Sequence, residues 1–309
     1  MSAISRQQKT KGEGFIIEAE KTLAKKTWFA TSTESKHEDA AELYEKAANA
    51  FKVGGCHAQA GDAYSKAAEL HRDQLKQLGE ASKCLSSAGA MYRNVDPATA
   101  IEKYQSAVSL LCDAGRLTQA AKLSKEIAEI FENDENNNIS LAIDNYEQAA
   151  ELFATEQSRS QQSQCKAKVA ELCSAALDPP DLLRAAQIYD KLGRDCLESN
   201  LLKFNAKGYF LQSAMCHLAN GDSIGATQAV QKYENLDYTF SDAREGKFAR
   251  QLIECVENYD PEGFATACFE YDRITKLDPW KTSMLVKIKR TIEGEDEAGL
   301  GGDDEVDLT

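Results

Sequence analysis

A pattern of small and large residues recurs about every twenty positions through much of this chain. Each copy carries two mostly small residues, then a tyrosine or a smaller residue, then two more small residues and a larger one. The first copy reads Ala40, Ala41, Tyr44, Ala47, Ala48 and Phe51. Six further copies begin at residues 60, 80, 100, 120, 142 and 185. Seven copies at so regular a period indicate an array of similar structural units.

The spacing inside each copy predicts one α-helix. Residues three or four positions apart lie on the same face of a helix, whereas a strand would need strict alternation. Small residues in the middle of this stripe let neighbouring helices approach closely, and the larger residues at its edges fill the gaps. Two copies make a hairpin of about 40 residues, similar in kind to a tetratricopeptide unit of about 34. The predicted fold is therefore all-α, a right-handed, tetratricopeptide-like solenoid of helical hairpins capped by a C-terminal helical bundle.

Proline positions and the fading of the repeat divide the chain further. Four of the five prolines follow an aspartate, and an Asp cap before a proline places helix starts near residues 97, 179, 261 and 279. Residues 1–35 are predicted to form an N-terminal helix and the loop after it, and residues 36–200 the solenoid. The period fades beyond Leu201, so residues 201–292 are predicted to form the bundle. Residues 293–309 are too acidic and glycine-rich to pack and are predicted to be a flexible tail.

Charge and cysteine content exclude several classes of protein. The chain has 36 Lys and Arg against 50 Asp and Glu, a formal charge of −14 that repels phosphate backbones, so nucleic-acid binding is not expected. The nine cysteines are scattered singly and form no Cys-x-x-Cys pair, so structural zinc is not expected. Each is predicted to be a small buried hydrophobe. The unpaired cysteines, the polar N-terminus and the lack of a long apolar stretch favour a protein kept in the cytosol.

Catalytic motifs are missing from the sequence. None of the four histidines is spaced with a second His or a Glu in a metal-ligand or catalytic motif. The chain has no glycine-rich phosphate loop and no nucleophile elbow. An enzyme, a bound cofactor and a bound metal are therefore not expected.

One segment interrupts the first two helices with aromatic and basic residues. Lys25, Lys26, Trp28 and Phe29 precede a polar run here. In one interpretation, the two aromatic side chains pack under the first hairpin. In the other, they enter the interfacial zone of a membrane while the lysines meet lipid phosphates.

A series of basic residues stands out against the acidic background at roughly hairpin spacing. Its members are Arg116, Lys122, Lys125, Lys166, Lys168, Lys203 and Lys207. A series of this kind is usually only a solvated face. Stacked repeats would, however, align these residues across one surface.

Several stretches that the repeat does not explain carry a resemblance to a known family. They are residues 201–210 (LLKFNAKGYF), 229–234 (AVQKYE), 240–245 (FSDARE), 270–274 (EYDRI) and 278–280 (DPW). With these stretches and nearly its whole length, the chain resembles the SNAP family, the adaptors that attach the N-ethylmaleimide-sensitive fusion ATPase to SNARE complexes. The resemblance is strongest to the alpha type.

The resemblance implies roles for particular residues. A membrane-dipping aromatic pair falls on Trp28 and Phe29, next to Lys25 and Lys26. Basic residues that contact the SNARE four-helix bundle fall on Arg116, Lys122, Lys203 and, nearby, Lys166, Lys168 and Lys207. Gln164 stands where the family usually has a lysine, which leaves the contact there in doubt.

The resemblance also implies an ATPase contact at the C-terminal end. The acidic positions are Asp222, Glu254 and Glu257, and the penultimate leucine is Leu308. Residues 298–302 look inserted relative to the family and would lengthen the tether to that leucine.

Two functions remain open at this point. The first is an adaptor that binds assembled SNARE complexes and recruits and stimulates the hexameric fusion ATPase in vesicle trafficking, a cytoplasmic protein peripherally associated with membranes. The alternative is a tetratricopeptide-like scaffold that clamps short peptides for a chaperone.

Overall fold

The computed structural model describes residues 2–26, 30–133 and 138–294, and within them the protein consists of helices without a strand. The α-helices are α1 (Ala3–Ala24), α2 (Ala30–Val53), α3 (His57–Glu69), α4 (Leu78–Tyr92), α5 (Pro97–Asp113), α6 (Leu117–Glu132), α7 (Ile139–Thr155), α8 (Arg159–Ala175), α9 (Leu182–Leu197), α10 (Ala206–Ala219), α11 (Ser223–Leu236), α12 (Arg244–Glu257), α13 (Pro261–Ile274) and α14 (Pro279–Glu293). A π-helical turn, Leu70–Gln74, extends α3, and a 3₁₀ turn, Lys203–Asn205, precedes α10. The predicted all-α fold of helical hairpins is confirmed.

The chain forms two compact units, Met1–Gln162 and Ser163–Thr309. In the first unit, each helix from α1 to α7 packs on the next one along the chain. In the second, α10 lies at the centre and packs on α9, α11, α12 and α14. The predicted limits of the solenoid and bundle, residues 36–200 and 201–292, remain predictions.

The repeated stripe is the core of the first unit. The alanines of its middle positions are fully buried, and Tyr44, Tyr104 and Tyr146 are 4%, 3% and 2% exposed. Glycines make room for aromatic rings between helices. A Cβ on Gly89 of α4 would lie 2.7 Å from the Tyr104 ring of α5, so the ring occupies the space that glycine leaves open. The prediction that the repeat tyrosines are core residues therefore holds at these positions.

Helix starts follow the predicted Asp–Pro signal at three of four places. Asp96, Asp260 and Asp278 cap α5, α13 and α14, each with a proline in the first turn. The start predicted near residue 179 is wrong. α9 begins at Leu182, and its cap is Asp181, whose carboxylate accepts a hydrogen bond from Arg184 N at 3.1 Å. The later aspartate has the free backbone donor of the first turn within reach.

Helix α8 carries a partial copy of the repeat that the sequence pattern did not reveal. It falls between the sixth and seventh copies and keeps Val169, Ala170 and Cys173 at the expected spacing, all buried. Its first half has Gln162 and Lys166 where other copies have small and aromatic residues. Polar residues at those positions hide the period without preventing the helix.

The second unit is filled by large aromatic side chains. Phe210 stacks on Tyr233 with ring centroids 4.1 Å apart and meets Phe240 edge-on at 5.7 Å. Trp280 donates from Nε1 to Ser174 Oγ at 2.9 Å. Seven of the nine cysteines, in both units, are buried, and Cys56 and Cys112 are half-buried, which agrees with the predicted role as small hydrophobes.

Within the described residues, no helix combines the length and apolarity needed to cross a membrane.

Candidate functional site

Two of the predicted basic residues line one groove in the first unit. Arg116 and Lys122 border a groove of about 410 Å³ whose other wall is α4. Arg116 precedes α6 because the turn before it closes on Gly115, whose φ of 68° favours glycine, and Arg116 N donates to Leu111 O at 2.8 Å. A Cβ on Gly79 of α4 would lie 3.4 Å from the Arg116 guanidinium. The missing side chain at Gly79 therefore lets the guanidinium approach α4 closely.

The charges of this groove are available to a partner. Arg116 and Lys122 are exposed, and neither forms an ion pair within the described residues. Arg93, by contrast, is held by two carboxylates of α6, Glu126 and Glu129, the latter at 2.8 Å. A cation without an internal partner keeps its full attraction for an external anion.

The remaining predicted basic residues are arranged less uniformly. Lys168 on α8 pairs with Glu171 at 2.9 Å, and Lys166 is half-buried, as is Lys125 on α6. Lys203 is exposed in the 3₁₀ turn, and Lys207 is half-buried in the first turn of α10. The predicted alignment of the whole series across one surface remains a prediction.

The turn around Lys203 exposes apolar residues that the sequence analysis did not assign to a surface. Leu201 is 91% exposed and Phe204 is 83% exposed, on either side of Lys203. Both are large side chains in a segment where the repeat has ended. The sequence signal for this exposure was that the repeat fades here. Outside an amphipathic stripe, a large side chain does not lie on the buried face of a helix.

The three predicted acidic residues lie at one end of the second unit, where α10 ends, α11 begins and α12 ends. Asp222 caps α11, with Oδ1 accepting from Gly225 N at 2.8 Å and Oδ2 lying 3.2 Å from His217 Nδ1. Glu257 Oε1 accepts from Thr227 Oγ1 at 3.3 Å, which ties the end of α12 to the first turns of α11. The hydrogen bond between Glu257 and Thr227 thus brings the end of α12 to the helix that Asp222 caps, and Asp222 has a structural role as well.

The same end carries exposed apolar side chains that sequence reasoning missed. Ile224 follows the Asp222 cap and is 69% exposed. Tyr259 follows α12 with a φ of 51° and is 73% exposed. A single apolar residue between polar ones gives no periodic signal, so only its position in the structure identifies it.

The structure describes part of the predicted membrane-contacting loop. Lys25 and Lys26 are exposed at the end of α1. Lys36 of α2 donates from Nζ to the Leu23 carbonyl at 3.2 Å and so ties α2 to the end of α1. The predicted contacts through Trp28 and Phe29, and the Leu308 anchor, lie outside the described residues.

A family model described as "Soluble NSF attachment protein, SNAP" matches residues 10–293. The chain belongs to the SNAP family. The resemblance drawn from the sequence is thereby confirmed.

Individual SNAP proteins from distant organisms align over most of the chain. The alpha-soluble NSF attachment protein of Mus musculus is 40% identical over 263 residues, which cover 85% of this chain and 87% of the mouse protein. The Vitis vinifera protein of the same name is 36% identical over 286 residues, covering 93% and 96%. That of Saccharomyces cerevisiae is 32% identical over 275 residues, covering 87% and 91%. The basic groove and the acidic end both lie inside the residues that the SNAP model matches, whereas Leu308 lies beyond them.

Proposed function

We propose that this SNAP protein is an adaptor for SNARE disassembly, which binds the assembled SNARE four-helix bundle and recruits and stimulates the hexameric fusion ATPase. The observation that carries the proposal is family membership, because relatives are named NSF attachment proteins and, in Schizosaccharomyces pombe, a probable vesicular-fusion protein. The ATPase supplies the chemistry in this function, and the adaptor supplies two binding surfaces.

The basic surfaces support a role in holding the SNARE bundle. Arg116 and Lys122 lie beside a groove and Lys203 between two exposed apolar side chains, and none of the three forms an ion pair in the part of the chain that the structure describes. An acidic helical bundle would be attracted by the cations, and its contact with Leu201 and Phe204 would remove apolar surface from water.

The acidic end of the second unit supports a role in holding the ATPase. Asp222, Glu254 and Glu257 give this end a negative charge, and Ile224 and Tyr259 add apolar area beside it. Carboxylates around a few large side chains are a common arrangement for a docking site that attracts a basic partner. Leu308, on an acidic segment, would add an apolar anchor for a pocket of the same ATPase.

The N-terminal segment completes the proposal with a membrane contact. Lys25 and Lys26 are exposed, and Trp28 and Phe29 follow them in the sequence. Aromatic residues beside lysines suit the interface between lipid headgroups and acyl chains. Such a contact would place the adaptor peripherally at the membrane that anchors the SNAREs.

A pull-down tests the adaptor function directly. Assembled SNARE bundle and its separate monomers are immobilised, and the chain is added with or without the fusion ATPase. We expect retention on the assembled bundle only, followed by retention of the ATPase when the chain is present. Equal retention on the monomers, or no recruitment of the ATPase, would contradict the proposal. Binding to short C-terminal peptides instead would favour the chaperone scaffold.

Comparing SNARE bundle anchored in liposomes with detergent-soluble bundle tests the contribution of the membrane contact to disassembly. Changing Trp28 and Phe29 to serine should slow disassembly of SNARE bundle anchored in liposomes and leave disassembly of detergent-soluble bundle intact. Equal slowing in both assays would indicate that the aromatic residues pack within the protein.

A further inference from the structure

Three residues that are distant in sequence bring one oxygen, one nitrogen and one sulfur atom together in the first unit. Glu45 comes from α2, His71 from the π-helical turn after α3, and Cys84 from α4. Their ligand atoms all lie within 4.8 Å of one another. His71 and Cys84 are 8% and 2% exposed, and the Glu45 side chain is 30% exposed.

The local backbone is shaped around His71. In the π-helical turn, Leu75 N donates to Leu70 O at 3.0 Å, and Lys76 then adopts a φ of 56°, which non-glycine residues seldom do. This path returns Gln77 to His71, where Gln77 N donates to the His71 carbonyl at 2.8 Å. The Gln77 side-chain oxygen lies 2.9 Å from His71 Nδ1. The turn therefore fixes both the position and the orientation of the imidazole ring.

In that orientation, the second ring nitrogen, Nε2, is left to interact with a proton or a metal cation. In the tautomer whose Nδ1 hydrogen faces the Gln77 oxygen, a neutral imidazole carries a lone pair on Nε2. Nε2 lies 3.2 Å from Glu45 Oε1, which also offers lone pairs. Two lone pairs at this distance repel each other unless a proton or a metal cation lies between them. A metal-bound histidine characteristically donates its other N–H to an oxygen, and the Gln77 oxygen is in position to accept from Nδ1.

We propose that Glu45, His71 and Cys84 bind one zinc ion. Thiolate, imidazole and carboxylate together are a zinc-type ligand set, softer than calcium or magnesium accept. Ideal tetrahedral zinc geometry separates a nitrogen and an oxygen ligand by about 3.4 Å, and a nitrogen and a sulfur ligand by about 3.6 Å. The 3.2 Å between Nε2 and Oε1 already matches the first separation, and the 4.8 Å limit on the three atoms leaves only a short movement of the sulfur.

The arrangement also predicts how binding proceeds. Burial, with Glu45 nearby, raises the pKa of the Cys84 thiol to about 12, so the free thiol keeps its proton at neutral pH. Zinc displaces that proton, which is released to solvent. The Glu45 side chain is the most exposed of the three, and an ion held by these three ligands would take water as its fourth ligand. The bound ion would link α2, the turn after α3 and α4.

Metal titration of the full-length, untagged chain in a non-thiol reductant tests the site. Zinc chloride competed against a chromophoric chelator should show one ion per chain, and cobalt(II) should give the absorption of a thiolate-bound tetrahedral ion. Cys84→Ser should abolish the thiolate band and weaken zinc binding at least about tenfold, while Cys112→Ser, at a half-buried cysteine outside the cluster, should leave both unchanged.

A second variant guards against a folding defect. Glu45→Gln removes one ligand at a partly exposed position, so its circular dichroism should match the parent chain while zinc affinity falls and the rise of Tm with zinc is lost. No stoichiometric zinc binding by the parent chain would overturn the proposal, as would a cobalt spectrum that Cys84→Ser leaves unchanged. The three residues would then form only a hydrogen bond between His71 and Glu45 beside a buried thiol.

Discussion

The two compact units bury apolar surface in different ways. The first uses alanines at the closest approaches and places tyrosines at the edges, where their hydroxyls reach polar partners on neighbouring helices. Tyr64 OH donates to Asn49 Oδ1 at 2.8 Å, and Tyr146 OH donates to Glu132 Oε2 at 2.9 Å. The second unit uses stacked rings, with Phe210 and Phe240 fully buried. Close helix packing through small residues demands a repeated pattern, whereas a bundle filled by aromatic rings does not.

The units also differ in the charges they offer to partners. The first has a groove lined by two exposed cations, Arg116 and Lys122, and the second has an acidic end that includes Glu254. A protein with a formal charge of −14 can therefore attract partners of opposite sign at different places.

Truncating the aromatic core of the second unit should have the largest effect. Phe210→Ala removes a ring that contacts Tyr233 and Phe240, and should lower the free energy of unfolding by about 3–5 kcal/mol. Chemical denaturation with hydrogen exchange should locate the loss in the second unit. Phe269→Ala on α13, at a ring that is 59% exposed, is the control and should change stability by less than about 0.5 kcal/mol. A comparable loss in both variants would contradict the described packing.

Adding one methyl group should damage the first unit. Gly89→Ala places a Cβ 2.7 Å from the Tyr104 ring and should cost about 1–3 kcal/mol of unfolding free energy. Gly14→Ala is the matched control, because no atom lies within 4 Å of its Cβ. That variant should be neutral or stabilise α1 by up to about 1 kcal/mol. Equal thermal stability of both variants would show that the repeat tolerates wider helix spacing.

Reversing the charge of the basic surfaces should weaken SNARE binding without unfolding either unit. Lys122→Glu with Lys203→Glu should lower affinity for the assembled bundle at low salt by about tenfold or more, equivalent to about 1.4 kcal/mol. Lys52→Glu, at an exposed lysine of α2 away from the groove, makes the charge change of one of these two substitutions and should have little effect. Titrating each variant against the assembled bundle at two salt concentrations measures the change in affinity. Unchanged affinity of the double variant would remove the basic surfaces from the proposed site.

The smallest effect is expected at Asp222, where two substitutions distinguish its role as a helix cap from its proposed role in binding the ATPase. Asp222→Ala loses the cap of α11 and should cost about 1 kcal/mol of stability, whereas Asp222→Asn keeps a capping oxygen and should cost only a few tenths. Both variants lose the carboxylate charge, so both should weaken ATPase recruitment. If Asp222→Asn recruited the ATPase as well as the parent chain does and only Asp222→Ala were impaired, recruitment would depend on stability alone. Asp222 would then act only as a helix cap.

The repeat predicted seven of the fourteen α-helices in the described residues, α2 to α7 and α9, and its failures have identifiable causes. The repeat did not predict helix α8, because polar Gln162 and Lys166 stand where other copies have apolar stripe residues. Val169 and Ala170 are nevertheless buried, as in other copies. The start of α9 was misplaced because Asp178 and Pro179 resemble a cap, while Asp181 makes the actual hydrogen bond.

The sequence by itself determined the all-α fold and the buried stripe, because helix periodicity depends on residues only three or four positions apart. Its resemblance to the SNAP family came instead from stretches outside the repeat, such as residues 201–210. Only the tertiary structure placed Arg116 beside Gly79, exposed Leu201 and gathered Glu45 with His71 and Cys84. Those arrangements depend on where turns redirect the chain and on how helices far apart in sequence face each other. A π-helical turn and a left-handed residue decide such geometry locally, and no period in the sequence records it.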